Sequence, residues 1–166
     1  MPDERDGLTW RVASPSDLEA LGRAQRETFR VSRGRWPEVE EVEMMARRTA
    51  RAITDESGNL LEILESRSTL GDGCSGYYWL AFDKTDPMLM DLHVNEACRG
   101  KGLGRRLLQR VVETVRTRGA DRFALAVSRS NAAALSLYGE FGASCLEEAD
   151  GICLLSIPVT PTTDVG

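Results

Sequence analysis

The run Arg99-Gly100-Lys101-Gly102-Leu103-Gly104-Arg105-Arg106 concentrates more potential chemistry than any other stretch of this chain. Three glycines alternate with bulkier residues, and four cations fall within eight positions without an acid among them. A strongly periodic apolar pattern follows and reads as a helix, so the cations crowd a helix start. A helix N-terminus already carries roughly half a positive charge, which makes added cations unfavourable there. An anion held by the free backbone N–H groups removes the conflict, and the run therefore predicts a phosphate site. Spacing excludes two common phosphate motifs. Lys101 is followed by Gly102 where a P-loop needs Ser or Thr, and the upstream glycine of that loop is missing. In a dinucleotide fingerprint counted from Gly100, Arg105 stands where the third glycine belongs.

Other candidates flank this run. Asn131 and Tyr138 are seven residues apart and share a helix face, separated by about 10 Å along the axis. Asn131 also suits a plain N-cap, and Tyr138 a buried core aromatic. Before the loop, the apolar run Met88 to Val94 reads as a strand that places Asp91 and His93 on one face, Leu92 and Val94 on the other. Asp91 and His93 are both candidate bases; His93 is the one histidine of the chain and titrates near neutrality.

A strand, then R-G-x-G-x-G, then an amphipathic helix resembles the coenzyme A pyrophosphate loop of the GNAT N-acetyltransferase superfamily. Arg99, Gly102 and Gly104 fit that family's [QR]-x-x-G-x-[GA] signature. The resemblance continues through the strand Phe123 to Ser128, a short helix opened by Asn131, and the closing Leu137-Tyr138-Gly139-Glu140-Phe141-Gly142. It covers about Met88 to Ala143. The resemblance implies acetyl-CoA as co-substrate, with the N–H groups of Gly100, Lys101, Gly102, Leu103, Gly104 and Arg105 around the pyrophosphate. Arg99, Lys101 and Arg105 would add contacts to its phosphates. It also implies that the backbone of Leu92, His93 and Val94 pairs with the pantetheine arm, an added strand in effect. Asn131 would contact that arm and Tyr138 would lie near the sulfur as an acid, while some members carry an acid at the position of Asp91. The implied fold is mixed α/β: a central, mostly antiparallel sheet with splayed parallel strands, flanked by helices.

The remaining pattern supplies elements in that order. Leu8 to Ala13 suits a strand, and Ser14-Pro15-Ser16-Asp17 a helix start. Leu18, Leu21, Ala24 and Phe29 mark a first helix up to Gly34. Trp36-Pro37 opens a second, striped by Val39, Val42, Met45, Ala46 and Ile53. Leu60 to Ser66 and Ser75 to Asp83 read as an antiparallel pair joined through Gly71 and Gly73, and Asp83 to Pro87 as a turn. Leu103, Leu107, Val111 and Val115 stripe the central helix, which Gly119 stops. Ser144 to Glu148 and Ile152 to Val159 close a hairpin around Asp150-Gly151. Glu38, Glu40, Glu41 and Glu43 favour the second helix's dipole, or else form, with Asp91, an acidic mouth for a cationic amine. Tyr77, Tyr78 and Trp79 line an acceptor pocket or pack the core.

At 166 residues the chain suits one domain, residues 1–166, with a frayed tail from 160 to 166. Its net charge of −5 excludes a general nucleic-acid surface, and with it a toxin acting on aminoacyl-tRNA through a broad basic face. Cys74, Cys98, Cys145 and Cys153 show neither zinc nor disulfide spacing, so no metal is expected. No leader-like segment and no apolar run near 18 residues is read, which predicts a cytoplasmic protein away from membranes. The expected activity is acetyl-CoA-dependent N-acetyl transfer to a primary amine of a small molecule or protein. A non-catalytic acyl-CoA-binding regulatory module is the alternative. Oligomeric state stays open, a homodimer included.

Overall fold

The computed structural model describes residues 7–55, 58–66, 74–83 and 86–159; the connection at Gly71 and Gly73, the turn residues 84–85 and the tail 160–166 lie outside them. Seven strands form one sheet: β1 (Leu8–Val12), β2 (Asn59–Ser66), β3 (Cys74–Ala81), β4 (Met88–Val94), β5 (Arg122–Ser128), β6 (Ser144–Ala149) and β7 (Ile152–Pro158). Their spatial order is β1-β2-β3-β4-β5-β7-β6. Every neighbouring pair is antiparallel except β4 with β5.

Helices α1 (Leu18–Arg33) and α2 (Val39–Thr54) cover one face, and the sheet's other core packs α3 (Leu103–Thr117) and α4 (Ala132–Glu140). The stripe Leu107, Leu108, Val111 and Val115 of α3 is fully buried against Tyr78, Leu80, Phe123, Leu125 and Ile157. On the opposite face Leu21 and Ala52 pack on Leu61, Ile63, Tyr77 and Trp79. Inside that face Gln25 Nε2 donates to Thr49 Oγ1 at 2.8 Å and ties α1 to α2.

Helix boundaries follow capping chemistry. A single 3-10 turn, Pro15–Asp17, precedes α1, and Asp17 accepts from the Ser14 backbone N–H at 2.8 Å. The second helix starts at Val39, two residues beyond the expected Trp36-Pro37 opening, with Val39 itself exposed. Glu38 is extended there, and its N–H donates to Glu41 Oε2 at 2.9 Å, so the cap sets the start.

Beneath α3, the Tyr78 hydroxyl donates to Glu62 Oε1, while Arg110 Nη2 donates to Glu62 Oε2 at 3.1 Å. Burial together with the neighbouring Glu62 carboxylate raises the Tyr78 phenol far above its ordinary value, so it stays a donor. Tyr78→Phe removes one bond from a buried carboxylate. A loss of about 1–3 kcal/mol is expected, read as a lower denaturant midpoint at unchanged slope.

Strands β4 and β5 position the site. They pair only at Met88↔Ala124 and Leu89↔Leu125, and beyond these residues they separate. From Met90 to Val94 the edge of β4 facing β5 therefore has no strand partner, and a wedge opens in the sheet. A bulge sits at the same point: Leu80 pairs with Leu89 but Trp79 pairs with Asp91, leaving Met90 as an extra residue. Leu89 packs on the α3 face. Simple alternation would send Met90 to the α1/α2 face and Asp91 back to the α3 face. The bulge instead brings both Met90 and Asp91 to the α1/α2 side, where Met90 packs on that core and Asp91 meets Tyr77.

Candidate functional site

At the entrance to α3, Gly100 and Gly102 adopt left-handed φ values of 78° and 77°. A Cβ at either would meet nothing within 4 Å, so backbone conformation and not crowding calls for glycine. Gly102 caps α3 without any side-chain hydrogen bond, and the first intrahelical bond runs from Arg106 N–H to its carbonyl at 3.2 Å. The N–H groups of Leu103, Gly104 and Arg105 thus project from the helix end without intrahelical partners. This is a cradle for an anion, and it fits a coenzyme pyrophosphate.

The cations around it are already engaged to differing degrees. Arg99 donates from Nε to the Val94 carbonyl at 3.1 Å and faces Glu27 at 3.8 Å. Arg105 pairs with Glu140 of α4. Lys101 is exposed. The structure therefore places backbone N–H groups at the centre of the cradle, with the cations at its rim.

The wedge between β4 and β5 holds a cleft of about 330 Å³. Leu92, Asp91, Asn131 and Tyr138 line it, together with Thr28 and Arg33 of α1. Asn131 caps α4, its Oδ1 accepting from Ala134 N–H at 3.1 Å, and also borders the cleft. Tyr138 is buried, and burial plus the nearby Asp91 charge push its phenol up to about 12.

A second cleft of about 350 Å³ opens between α1, α2 and the sheet, walled by Phe29, Met45, Arg48 and Trp79. Thr28, Ser32, Arg33, Met90 and Asp91 line both clefts. Asp91 therefore stands where the two spaces join. Its carboxylate accepts from the Tyr77 hydroxyl and from the Leu92 backbone N–H, yet desolvation outweighs both and raises its pKa above the ordinary carboxylate value.

His93 shares the face of Asp91 but lines neither of these clefts. Its Nδ1 lies 3.1 Å from Thr28 Oγ1, and its ring packs on Tyr77 with centroids 5.7 Å apart. Burial, with a smaller push from Arg99, lowers its pKa, so at neutral pH the ring is uncharged. Tyr77 and Tyr78 are fully buried on opposite faces, and Trp79 alone of that trio reaches the second cleft. None of Glu38, Glu40, Glu41 and Glu43 lines either cleft; Glu41 is held by Arg35 at 2.9 Å and Glu43 by Arg47 at 3.3 Å. The charges on the cleft walls are Arg33, Arg48 and Asp91. Sequence reading missed Thr28, Arg33 and Arg48. They lie on two helices, α1 and α2, and nothing in their spacing brings them together before the helices pack. Among the described residues no cluster of His, Cys, Asp and Glu gathers for a metal, and no helix is long and apolar enough to cross a membrane.

A family model described as "Acetyltransferase (GNAT) family" matches residues 25–143. The chain is 34% identical over 89 residues to the thialysine N-epsilon-acetyltransferase of Mus musculus, an alignment covering 52% of each. It spans about half the length, or less, of the curated relatives it matches. The PaiA N-acetyltransferase of Thermoplasma acidophilum, solved with coenzyme A, superposes with a TM-score of 0.74 at 19% identity, covering 91% of this chain and 98% of that one. Spermidine N-acetyltransferase of Vibrio cholerae, solved with CoA and spermine, gives 0.68 at 15% identity, covering 92% and 96%. At such identities these two solved structures share a fold with the chain.

Proposed function

Since the chain belongs to the GNAT acetyltransferase family, we propose that it transfers an acetyl group from acetyl-CoA to a primary amine of a small-molecule acceptor. The observation that carries this reading is the junction at Asp91 of the β4–β5 wedge with the α1/α2 cleft. One space lies along the unpaired edge of β4, and the other, between α1, α2 and the sheet, has the size of a small-ligand pocket. A carboxylate sits between them.

Acetyl-CoA, when bound, supplies an acetyl group activated as a thioester. Gly100 to Arg105 would hold its pyrophosphate through backbone N–H groups, and the unpaired edge of β4 would take the pantetheine amides. The chain's own residues then manage protons. An alkylammonium of pKa near 10.4 is about one part in a thousand neutral at pH 7.4, a handicap of about 4 kcal/mol. Asp91 takes the proton from the acceptor nitrogen, directly or through water; its raised pKa makes it a better base than an ordinary surface carboxylate. His93, neutral and turned to Thr28, holds the α1 side of the site in place.

Tyr138 works differently from a full proton donor. A phenol held at about 12 gives up its proton to the anion of a thiol that ionises near 8.5 only uphill, by roughly 5 kcal/mol. Its Oη instead remains protonated and offers a hydrogen bond to developing negative charge in the wedge. Tyr138→Phe is expected to keep coenzyme affinity while lowering kcat about 10- to 100-fold, measured with an acceptor in hand. An unchanged kcat would remove Tyr138 from the reaction.

The proposal is tested by a screen of primary amines for acetyl-CoA-dependent thiol release, with the product mass showing one added acetyl group. Coenzyme binding in calorimetry without thiol release from any amine would instead support the acyl-CoA-binding regulatory module.

A further inference from the structure

Every charged side chain on the α1/α2 cleft is accounted for by Arg33, Arg48 and Asp91. Asp91 and Arg33 both border the wedge as well, whereas Arg48 borders this cleft and not the wedge. Arg33 is the last residue of α1 and Arg48 sits in the body of α2, so the two cations come from separate helices. A cation at the C-terminal end of α1 is favoured by that helix's dipole, but the dipole accounts for no arginine at position 48.

Their neighbours leave both charges intact. Among the described residues neither guanidinium has a carboxylate within ion-pair distance. Arg48 lies over the Trp79 ring at 6.0 Å and Arg33 over the Phe29 ring at 5.9 Å, contacts that orient a guanidinium without neutralising it. Glu41, the acid that feels Arg33, has both oxygens taken by Arg35 at 2.9 Å. On α1 and α2 Arg23 pairs with Glu19 and Arg47 with Glu43, and Arg35, between the helices, pairs with Glu41. Among the described residues Arg26, Arg30 and Arg51 also lack a carboxylate partner, but of the arginines so placed only Arg33 and Arg48 line this cleft.

Building on the acetyltransferase reading, we infer that the acceptor is an amine that also carries a carboxylate: the amine is directed inward to Asp91 and the carboxylate is bound by Arg33 and Arg48. A guanidinium presents its donors in a planar fork that matches a carboxylate's two oxygens. A polyamine of similar length would set a second ammonium against these two cations, and that repulsion selects against it. The acidic mouth open to the sequence reading is thus replaced by a basic one.

The test is steady-state kinetics with acetyl-CoA and three matched series of increasing chain length: ω-amino acids, ω-amino alcohols and α,ω-diamines. At the best chain length the amino acid should exceed both others in kcat/KM by about tenfold or more, as expected for a charge-assisted pair. In the double variant R33A/R48A that ratio should collapse to about one or below, through a higher KM for the amino acid with little change in its kcat. Circular dichroism checks the fold of the variant, and the single variants R33Q and R48Q, each losing part of the ratio, serve if the double variant misfolds. Thiol release with all three series but no preference for the carboxylate, or a ratio untouched by the arginine substitutions, overturns this inference and leaves the acetyltransferase reading standing. No thiol release from any amine, with coenzyme binding intact, overturns both.

Discussion

Asp91→Asn is expected to lower kcat by about 10²- to 10⁴-fold, the range that a positioned general base contributes, while coenzyme affinity changes little. Asparagine keeps the shape and still accepts the Tyr77 hydroxyl bond through its Oδ1, so the local packing should survive. It cannot take a proton. The pH dependence supplies a second readout. Burial holds the Asp91 pKa above the ordinary 3.8, so a base at this position fails as pH falls through that raised value. The wild type should show an acidic limb lying above pH 3.8, with activity present at higher pH and lost below it. The asparagine variant should lose that limb and depend only on the neutral fraction of the amine, rising roughly tenfold per pH unit until the amine itself is deprotonated. His93 is the rival. Its pKa is lowered from 6.5, and its Nδ1 is occupied by Thr28, so His93→Gln should leave the limb in place. If Asp91→Asn keeps both kcat and the limb while His93→Gln loses them, the base is His93.

Much of this arrangement is legible in the residues because it depends on local rules. The glycine-rich entrance to α3, the stripe of α3, the Asn131 cap and the hairpin at Asp150-Gly151 each follow from a few neighbouring side chains. The start of α2 differs from the expected one because a tryptophan-proline pair reads as a helix opening, whereas the reciprocal Glu38–Glu41 cap decides it. The direction of Asp91 is a subtler case. Strand alternation puts it on the side of His93, which is where it lies, but that agreement holds only beyond the bulge at Met90. A bulge is settled by the register in which β3 and β4 pair and by the cores packed on the two faces, which alternation along one strand does not encode. The two arginines on the α1/α2 cleft are hidden for a similar reason. Arg33 and Arg48 resemble the other arginines of their helices until tertiary packing shows which ones meet a glutamate and which meet a cavity.

Gly102→Val should weaken coenzyme A binding by about a thousandfold or more, measured by calorimetry. Position 102 has φ 77° and ψ 11°, a conformation that a β-branched residue adopts at a cost of about 1–3 kcal/mol. The added side chain would meet no atom of the folded protein within 4 Å of its Cβ, so collision in the empty site is not the difficulty. The chain has two responses. If the loop keeps its shape, the valine methyls project beside the N–H groups that the pyrophosphate needs. If it relaxes to negative φ, the N–H groups of Leu103, Gly104 and Arg105 turn away from one another. Either response removes at least two charge-assisted hydrogen bonds, about 4 kcal/mol together, which is about three orders of magnitude in Kd. Gly119 provides the control at the far end of the same helix. It too is left-handed, with φ 82° and nothing within 4 Å of where a Cβ would stand. Gly119→Val should therefore lower the melting temperature to a similar degree while leaving coenzyme affinity near wild type. Equal losses of affinity in both variants would trace the effect to a loosened α3, and full affinity in Gly102→Val would take the pyrophosphate away from this loop.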